Sequence, residues 1–153
     1  MLKVLVVEDE EMIRKGIVLA VDWAALDCVV VGEAANGAEA LEAVDRLNPS
    51  LIITDLKMPQ MDGLEMLRRL RERGNNVYVI ILTAYDSFTY AQSALRLGAV
   101  DFLLKPFHDG DLEQAVAALR KRIGGEEKAD SALPGLKRGD KSKYVLEAMD
   151  YTG

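Results

Sequence analysis

Five strand-sized apolar runs, each followed by a stretch with apolar residues at helical spacing, constrain this chain more than any other feature. The runs cover residues 2–7, 29–31, 51–54, 77–82 and 100–104. None alternates polar and apolar residues strictly, so each is expected to be buried on both faces of a sheet. In the first helical stretch Met12, Ile13, Ile17 and Ala20 share a face. Ala38, Leu41, Ala43, Val44 and Leu47 mark a second helix, stopped by Asn48-Pro49, and Leu64, Met66, Leu67 and Leu70 a third, stopped by Gly74. Phe88, Ala91, Ala94, Leu95 and Leu97 mark a fourth, ended by Gly98. Leu112, Val116, Leu119 and Ile123 mark a fifth, ended by Gly124-Gly125. Strands that alternate with helices in this way imply an α/β fold, a doubly wound five-stranded parallel sheet with right-handed crossovers. In such folds functional groups collect at the carboxyl ends of the strands.

The length of 153 residues suits one domain with a short appendage, and a hydrophobic content of 50% supplies its core. Residues 124–143 are rich in Gly, Glu, Lys, Asp and Ser and read as a linker. Residues 144–153 read as the start of a helix too small to hold a core of its own. Residues 1–123 carry 14 basic and 19 acidic side chains, a net of −5, and residues 124–153 carry 5 and 6, a net of −1. Neither part is a basic nucleic-acid surface. No apolar run approaches the roughly 18 residues needed to span a bilayer, so no membrane role is expected. The first run is too short and too acid-flanked for a signal peptide. A single cysteine, Cys28, allows no internal disulfide and is expected to be a small buried hydrophobe. The expected compartment is the cytoplasm.

The strand ends carry the chemistry. The first run ends in Glu8-Asp9-Glu10-Glu11, the third in Asp55, the fourth in Thr83-Ala84 and the fifth in Lys105-Pro106. Taken singly, each has a plain structural explanation: a helix cap, a turn residue, a surface ammonium. Together, a parallel sheet puts them along one edge. Carboxylates crowded there repel one another and need a cation, and oxygen ligands of this kind suit Mg²⁺.

These motifs resemble the receiver domain of two-component response regulators across residues 1–123. The match comprises the acidic pair Glu8-Asp9, the run Ile53-Thr54-Asp55-Leu56-Lys57-Met58-Pro59 with Asp62-Gly63, Thr83-Ala84, and Leu104-Lys105-Pro106-Phe107. The resemblance implies a flavodoxin-like (βα)5 fold with strand order 2-1-3-4-5. It implies that Asp55 is the phosphoacceptor and that Glu8, Asp9, Asp55 and the Lys57 backbone carbonyl hold Mg²⁺. It implies that Thr83, Ala84 and Lys105 contact the phosphoryl group, and that Lys105-Pro106 is a cis bond. Thr83 and Phe102 match the family's switch pair, with Phe102 turning inward behind Thr83. The first acid of the pair is often Asp in this family. Here it is Glu8, which is expected to reach the metal through water. Met58 and Phe107 are expected to pack, and His108 to be solvated.

Two stretches are more particular. Asp86-Ser87-Phe88-Thr89-Tyr90 with the helix that follows, and Val21-Asp22-Trp23, resemble receivers that precede AraC-type helix-turn-helix effectors. The implied partners are a sensor histidine kinase, a second copy of the chain through the fourth helix, fifth strand and fifth helix, and DNA only through a missing C-terminal domain. Arg96, Asp101 and Arg120 are the candidate interface charges. Two other readings fit less well. A phosphatase of the haloacid dehalogenase type needs a second Asp where Lys57 stands. A flavin-binding module needs a phosphate-cradling loop where Glu8 to Glu11 stand.

Overall fold

A computed structural model describes residues 1–84, 88–105 and 110–129. Its elements are β1 (Leu2–Val7), α1 (Glu11–Ala20), a single 3-10 turn (Ala24–Leu26), β2 (Cys28–Ala34), α2 (Gly37–Leu47), β3 (Leu51–Asp55), α3 (Gly63–Glu72), β4 (Tyr78–Ala84), α4 (Phe88–Arg96), β5 (Asp101–Lys105) and α5 (Asp111–Ala129). The five strands form one parallel sheet in the order β2-β1-β3-β4-β5. The expected α/β doubly wound, flavodoxin-like arrangement is therefore present.

Successive strand residues point to opposite faces, and each face has its own core. Leu5, Val7, Ile52, Val79, Ile81 and Phe102 pack with the buried sides of α2, α3 and α4. Val4, Val6, Ile53, Ile80, Leu82 and Leu103 pack with Ile17 of α1 and with Leu112, Val116 and Leu119 of α5. Burial on both faces is why the runs show no polar alternation.

Helix starts follow local chemistry. Asn36 caps α2 by accepting from the Glu39 amide at 2.9 Å, and the Glu39 carboxylate accepts from the Ala35 amide in return. Asp62 caps α3 by accepting from the Glu65 amide at 2.8 Å. Asn48, left-handed at φ 48°, ends α2 just before Pro49.

Three expectations need correction. The first run of helix is less buried than its spacing suggested: Ile17 is buried, but Met12 is 89% exposed and Ile13 and Ala20 are exposed too. In α2, Ala38 is exposed, and the buried residues are Gly37, Ala40, Leu41, Ala43 and Val44. Finally, α5 runs through Gly124-Gly125 to Ala129. Two glycines cost about 1 kcal/mol each in a helix, and the good helix formers Glu126, Glu127, Lys128 and Ala129 follow them. The first part of the expected linker is thus helical; the rest of it, and the helix expected over 144–153, lie outside the described residues.

Among the described residues no helix is long and apolar enough to cross a membrane. Cys28 is buried and free, as expected.

Candidate functional site

Sheet register brings the singled-out residues together. Val7 pairs with Thr54, so Glu8 and Asp55 both follow that rung. Asp55 pairs with Leu82, Thr83 with Leu104, and Ala84 with Lys105. The carboxyl ends of β1, β3, β4 and β5 therefore share one edge. Ligand oxygens of Glu8, Asp9 and Asp55 lie within 4.8 Å of one another, with Glu8 buried, Asp55 half-buried and Asp9 exposed.

Lys105 bridges two of these acids. Its ammonium donates to Asp55 Oδ2 at 3.1 Å and to Glu8 Oε1 at 3.2 Å. The other Asp55 oxygen, Oδ1, accepts from the Leu56 amide at 2.7 Å. Glu8 is only 1% exposed. Burial pushes its carboxyl above the ordinary range, against the downward pull of the Glu10 amide and of Lys105, while Asp55 pushes it further up. Burial alone would lower the Lys105 ammonium, but Asp55 and Glu8 more than offset this and hold it above its ordinary value. The edge is thus a crowded set of acids with one ammonium among them, and such a set suits a hard cation.

The loop after Asp55 is folded tightly against it. Gly63 donates to the Leu56 carbonyl at 2.8 Å. A Cβ on Gly63 would collide with the Asp55 carbonyl oxygen and meet Leu56 Cα at 3.2 Å. Asp62-Gly63 therefore has a physical meaning: Asp62 starts α3, and Gly63 lets α3 approach the Asp55 backbone. Within the loop Gln60 holds a left-handed φ of 68° and its side-chain oxygen accepts from Asn36 at 2.9 Å. Lys57 lies on this loop with its residue exposed, and Met58 packs into the core as expected.

Thr83 is fully buried, and its hydroxyl donates to the Ala84 carbonyl at 3.2 Å; Ala84 is exposed. Phe102 is 1% exposed, in the core cluster that includes Ile81, Ala91 and Ala94. The ring already lies inside. Asp101 and Arg120 make contacts within the chain. Asp101 is buried and accepts from the Phe102 amide at 2.9 Å. Arg120 pairs with Asp27 beside the 3-10 turn. Only Arg96 of those three remains an exposed charge. Pro106, Phe107, His108 and residues 85–87 lie outside the described residues, as does the side chain of Phe88.

Sequence reasoning missed Arg14 and Glu33. Arg14 donates to the Glu8 carbonyl at 2.8 Å and to Glu33 Oε1 at 3.0 Å. The signal available was an arginine one turn into the helix that follows the acids, but an arginine there reads equally well as solvated surface. Val21-Asp22-Trp23 acquires a structural role: the buried Trp23 indole donates to the Val18 carbonyl at 2.9 Å, closing the end of α1.

The fold and its edge define a class: a doubly wound α/β domain with a carboxylate cluster and a lysine at the strand ends. Residues 4–117 match the response regulator receiver domain family, and the chain belongs to it. The general function of that family is a phosphoryl-accepting signalling switch, not catalysis on an outside substrate. The receiver domain of AraT, a response regulator from Geobacillus stearothermophilus, is 42% identical with a TM-score of 0.76, over 83% of this chain and 98% of that one. The uncharacterized transcriptional regulatory protein YesN of Bacillus subtilis is 35% identical over 80% of this chain and 34% of its own length. The DNA-binding transcriptional regulator NtrC of Escherichia coli is 39% identical over 77% of this chain and 24% of its own. The chain thus spans between a quarter and about a third of the length of these two curated relatives.

Proposed function

We propose that Asp55 is the phosphoacceptor of this receiver domain, taking its phosphoryl group from a sensor histidine kinase. The observation that carries this reading is the Lys105 ammonium held between Glu8 and Asp55 at the strand ends. Glu8, Asp9 and Asp55, with the backbone carbonyl of Lys57, would hold Mg²⁺, and the crowding of their oxygens supports that assignment. When bound, Mg²⁺ supplies neutralisation of charge on the transferring oxygens.

The chain's own residues do the rest. An Asp55 carboxylate oxygen forms a bond to phosphorus as the bond from phosphorus to the kinase imidazole nitrogen breaks; the imidazole takes a proton from solvent. The Asp55 Oδ1–Leu56 bond fixes the carboxylate plane. Lys105 transfers a hydrogen bond from Asp55 to a phosphoryl oxygen. The product carries about −1.5 to −2 of added charge, by analogy with other phosphorylated side chains. Thr83 turns its hydroxyl from the Ala84 carbonyl toward that charge, and the Ala84 amide lies beside it. The domain promotes its own phosphorylation and dephosphorylation at this one site.

Output follows through the face of α4, β5 and α5, which borders Thr83 and Phe102, and a second copy of the chain pairs there. Asp101 is buried, so the exposed Arg96 and the partly exposed Arg120 are the candidate charges for that contact. By likeness to YesN and NtrC, whose names call them transcriptional regulators, DNA is reached through a further domain outside residues 1–153, and the motif resemblance of Val21-Asp22-Trp23 and residues 86–90 favours the AraC type for it. The compartment that fits a kinase-to-promoter relay is the cytoplasm.

The test is labelling with acetyl phosphate and Mg²⁺. One base-labile phosphoryl group is expected in the wild type, and none in Asp55→Asn or with a chelator present. Retained labelling in Asp55→Asn refutes the assignment.

A further inference from the structure

We propose that Arg14 is a positioning residue for the acidic pocket, holding the turn between β1 and α1 so that Glu8 and Asp9 face Asp55. The inference rests on the reading of Glu8, Asp9 and Asp55 as the Mg²⁺ site.

Every polar group of Glu8 is held. Its amide donates to the Ala34 carbonyl at 3.0 Å, and its carboxylate accepts from the Glu10 amide at 3.1 Å and from Lys105 at 3.2 Å. The remaining group, the carbonyl, accepts from Arg14 Nη1 at 2.8 Å. That carbonyl belongs to the peptide plane joining Glu8 to Asp9. A peptide is planar, so pinning its oxygen sets the direction in which Asp9 leaves the strand. Arg14 thereby controls the one acid of the pocket that, among the described residues, no side chain of β3, β4 or β5 holds; Glu8 and Asp55 are both held by Lys105.

Arg14 is itself held. Its Nε donates to Glu33 Oε1 at 3.0 Å, while Lys15 donates to Glu33 Oε2 at 3.0 Å. The Arg14 side chain is 14% exposed. Burial raises the Glu33 carboxyl, but the bonds and charges of Lys15 and Arg14 outweigh it and hold it below the ordinary range, so it is ionised at neutral pH. The guanidinium thus spans two rigid elements, α1 and β2, with the acidic turn between them. A fork that donates in two fixed directions suits this task better than a single ammonium does. Glu33 is shared between Arg14 and Lys15 and offsets only part of their charge; what Arg14 supplies to the pocket is the fixed direction of the Glu8–Asp9 peptide.

The experiment measures Mg²⁺ affinity by calorimetry on wild type, Arg14→Ala, Asp9→Asn and Trp23→Phe, with melting in the absence of Mg²⁺ beside it. Outer-shell partners of metal ligands are commonly worth about 10–100-fold in affinity. Arg14→Ala is expected to weaken Mg²⁺ binding about tenfold, the low end, because the Glu8 side chain keeps its own partners. The Mg²⁺ concentration that half-saturates phosphorylation by acetyl phosphate rises by the same factor, while the rate at saturating Mg²⁺ stays within about twofold. Trp23→Phe loosens the far end of α1, lowers melting and leaves Mg²⁺ affinity unchanged. If Arg14→Ala lowers melting but leaves affinity at the wild-type value, Arg14 is only structural and the proposal fails. If Asp9→Asn keeps wild-type affinity, the metal reading itself has failed. Should Arg14→Ala not fold, Arg14→Gln is read by the same criteria.

Discussion

Replacing Lys105 with Met would expose how the acidic edge is balanced. The substitution keeps an unbranched chain of similar reach and removes the ammonium. It leaves a buried Glu8 and a half-buried Asp55 facing each other without the donor they now share. Breaking a buried ion pair by deleting one partner costs about 3–5 kcal/mol. Lys105 keeps 26% of its side chain exposed and Asp55 14%, so solvent screens part of this, and about 2–3 kcal/mol is the expected loss without Mg²⁺. The loss should depend on pH. Glu8 already sits above the ordinary carboxylate range, and Lys105 is one of the groups holding it down. Without the ammonium its folded pKa rises further above the unfolded value. A carboxyl raised in this way costs nothing while protonated in both states, and its cost grows as pH rises through the folded value. The deficit against wild type should therefore be smaller near about pH 5 than near about pH 8. Mg²⁺ should narrow it too, since a ligand that binds only the folded state adds stability with concentration and meets one less competing cation in the variant. The assay is urea unfolding of both proteins at the two pH values, with and without Mg²⁺. A variant as stable as wild type in metal-free buffer at the higher pH refutes the charge balance described here.

Other perturbations probe the remaining parts. Asp9→Asn removes one like charge from the edge, so it should melt higher than wild type without Mg²⁺ and lose Mg²⁺ binding; lower metal-free melting contradicts the crowding argument. Gly63→Ala forces a Cβ into the Asp55 carbonyl. Overpacking of this kind costs about 1–3 kcal/mol, and because the Asp55 backbone must move, the phosphorylation rate should fall with it. Both are read by denaturant unfolding and mass-resolved labelling. Arg71 donates to the carbonyls of Leu97, Asn75 and Gly98, tying the ends of α3 and α4 together. Arg71→Ala should cost about 2–3 kcal/mol, the scale of bonds from a charged donor, and should speed amide exchange at the C-terminal end of α4. Unchanged exchange there would show that the tie is not restraining the helix.

How much of this was legible beforehand differs residue by residue. The five strands were readable because both faces of the sheet are buried, which leaves runs such as Leu51-Ile52-Ile53 apolar without interruption. Asp55, Thr83 and Lys105 were readable as neighbours at one sheet edge because parallel strands share a polarity, so residues far apart in the chain end together. Met12 shares a helical face with buried Ile17 and is itself exposed, because helical spacing reports which residues share a face, not how much of that face is covered. Gly124-Gly125 failed as a stop because glycine weakens a helix by an amount that neighbouring residues can offset. Asp101 and Arg120 look like surface charges in one dimension; their partners, the Phe102 amide and Asp27, are fixed only by β5 geometry and by the packing of α5 on the 3-10 turn. Arg14 was silent for the same reason, since Glu33 meets it only after β2 has paired with β1.

The most direct test of the central claim reads the acyl phosphate at its residue. The protein is phosphorylated with acetyl phosphate and Mg²⁺, reduced at once with borohydride, digested and mapped by tandem mass spectrometry. Reduction converts an aspartyl phosphate to homoserine and leaves an unmodified carboxylate unchanged. Homoserine is expected in place of Asp55, in the peptide containing Leu51–Asp55, and at no other acid of the pocket. Homoserine at Asp9, or phosphate found on a hydroxyl such as Thr83 with Asp55 unaltered, would contradict it.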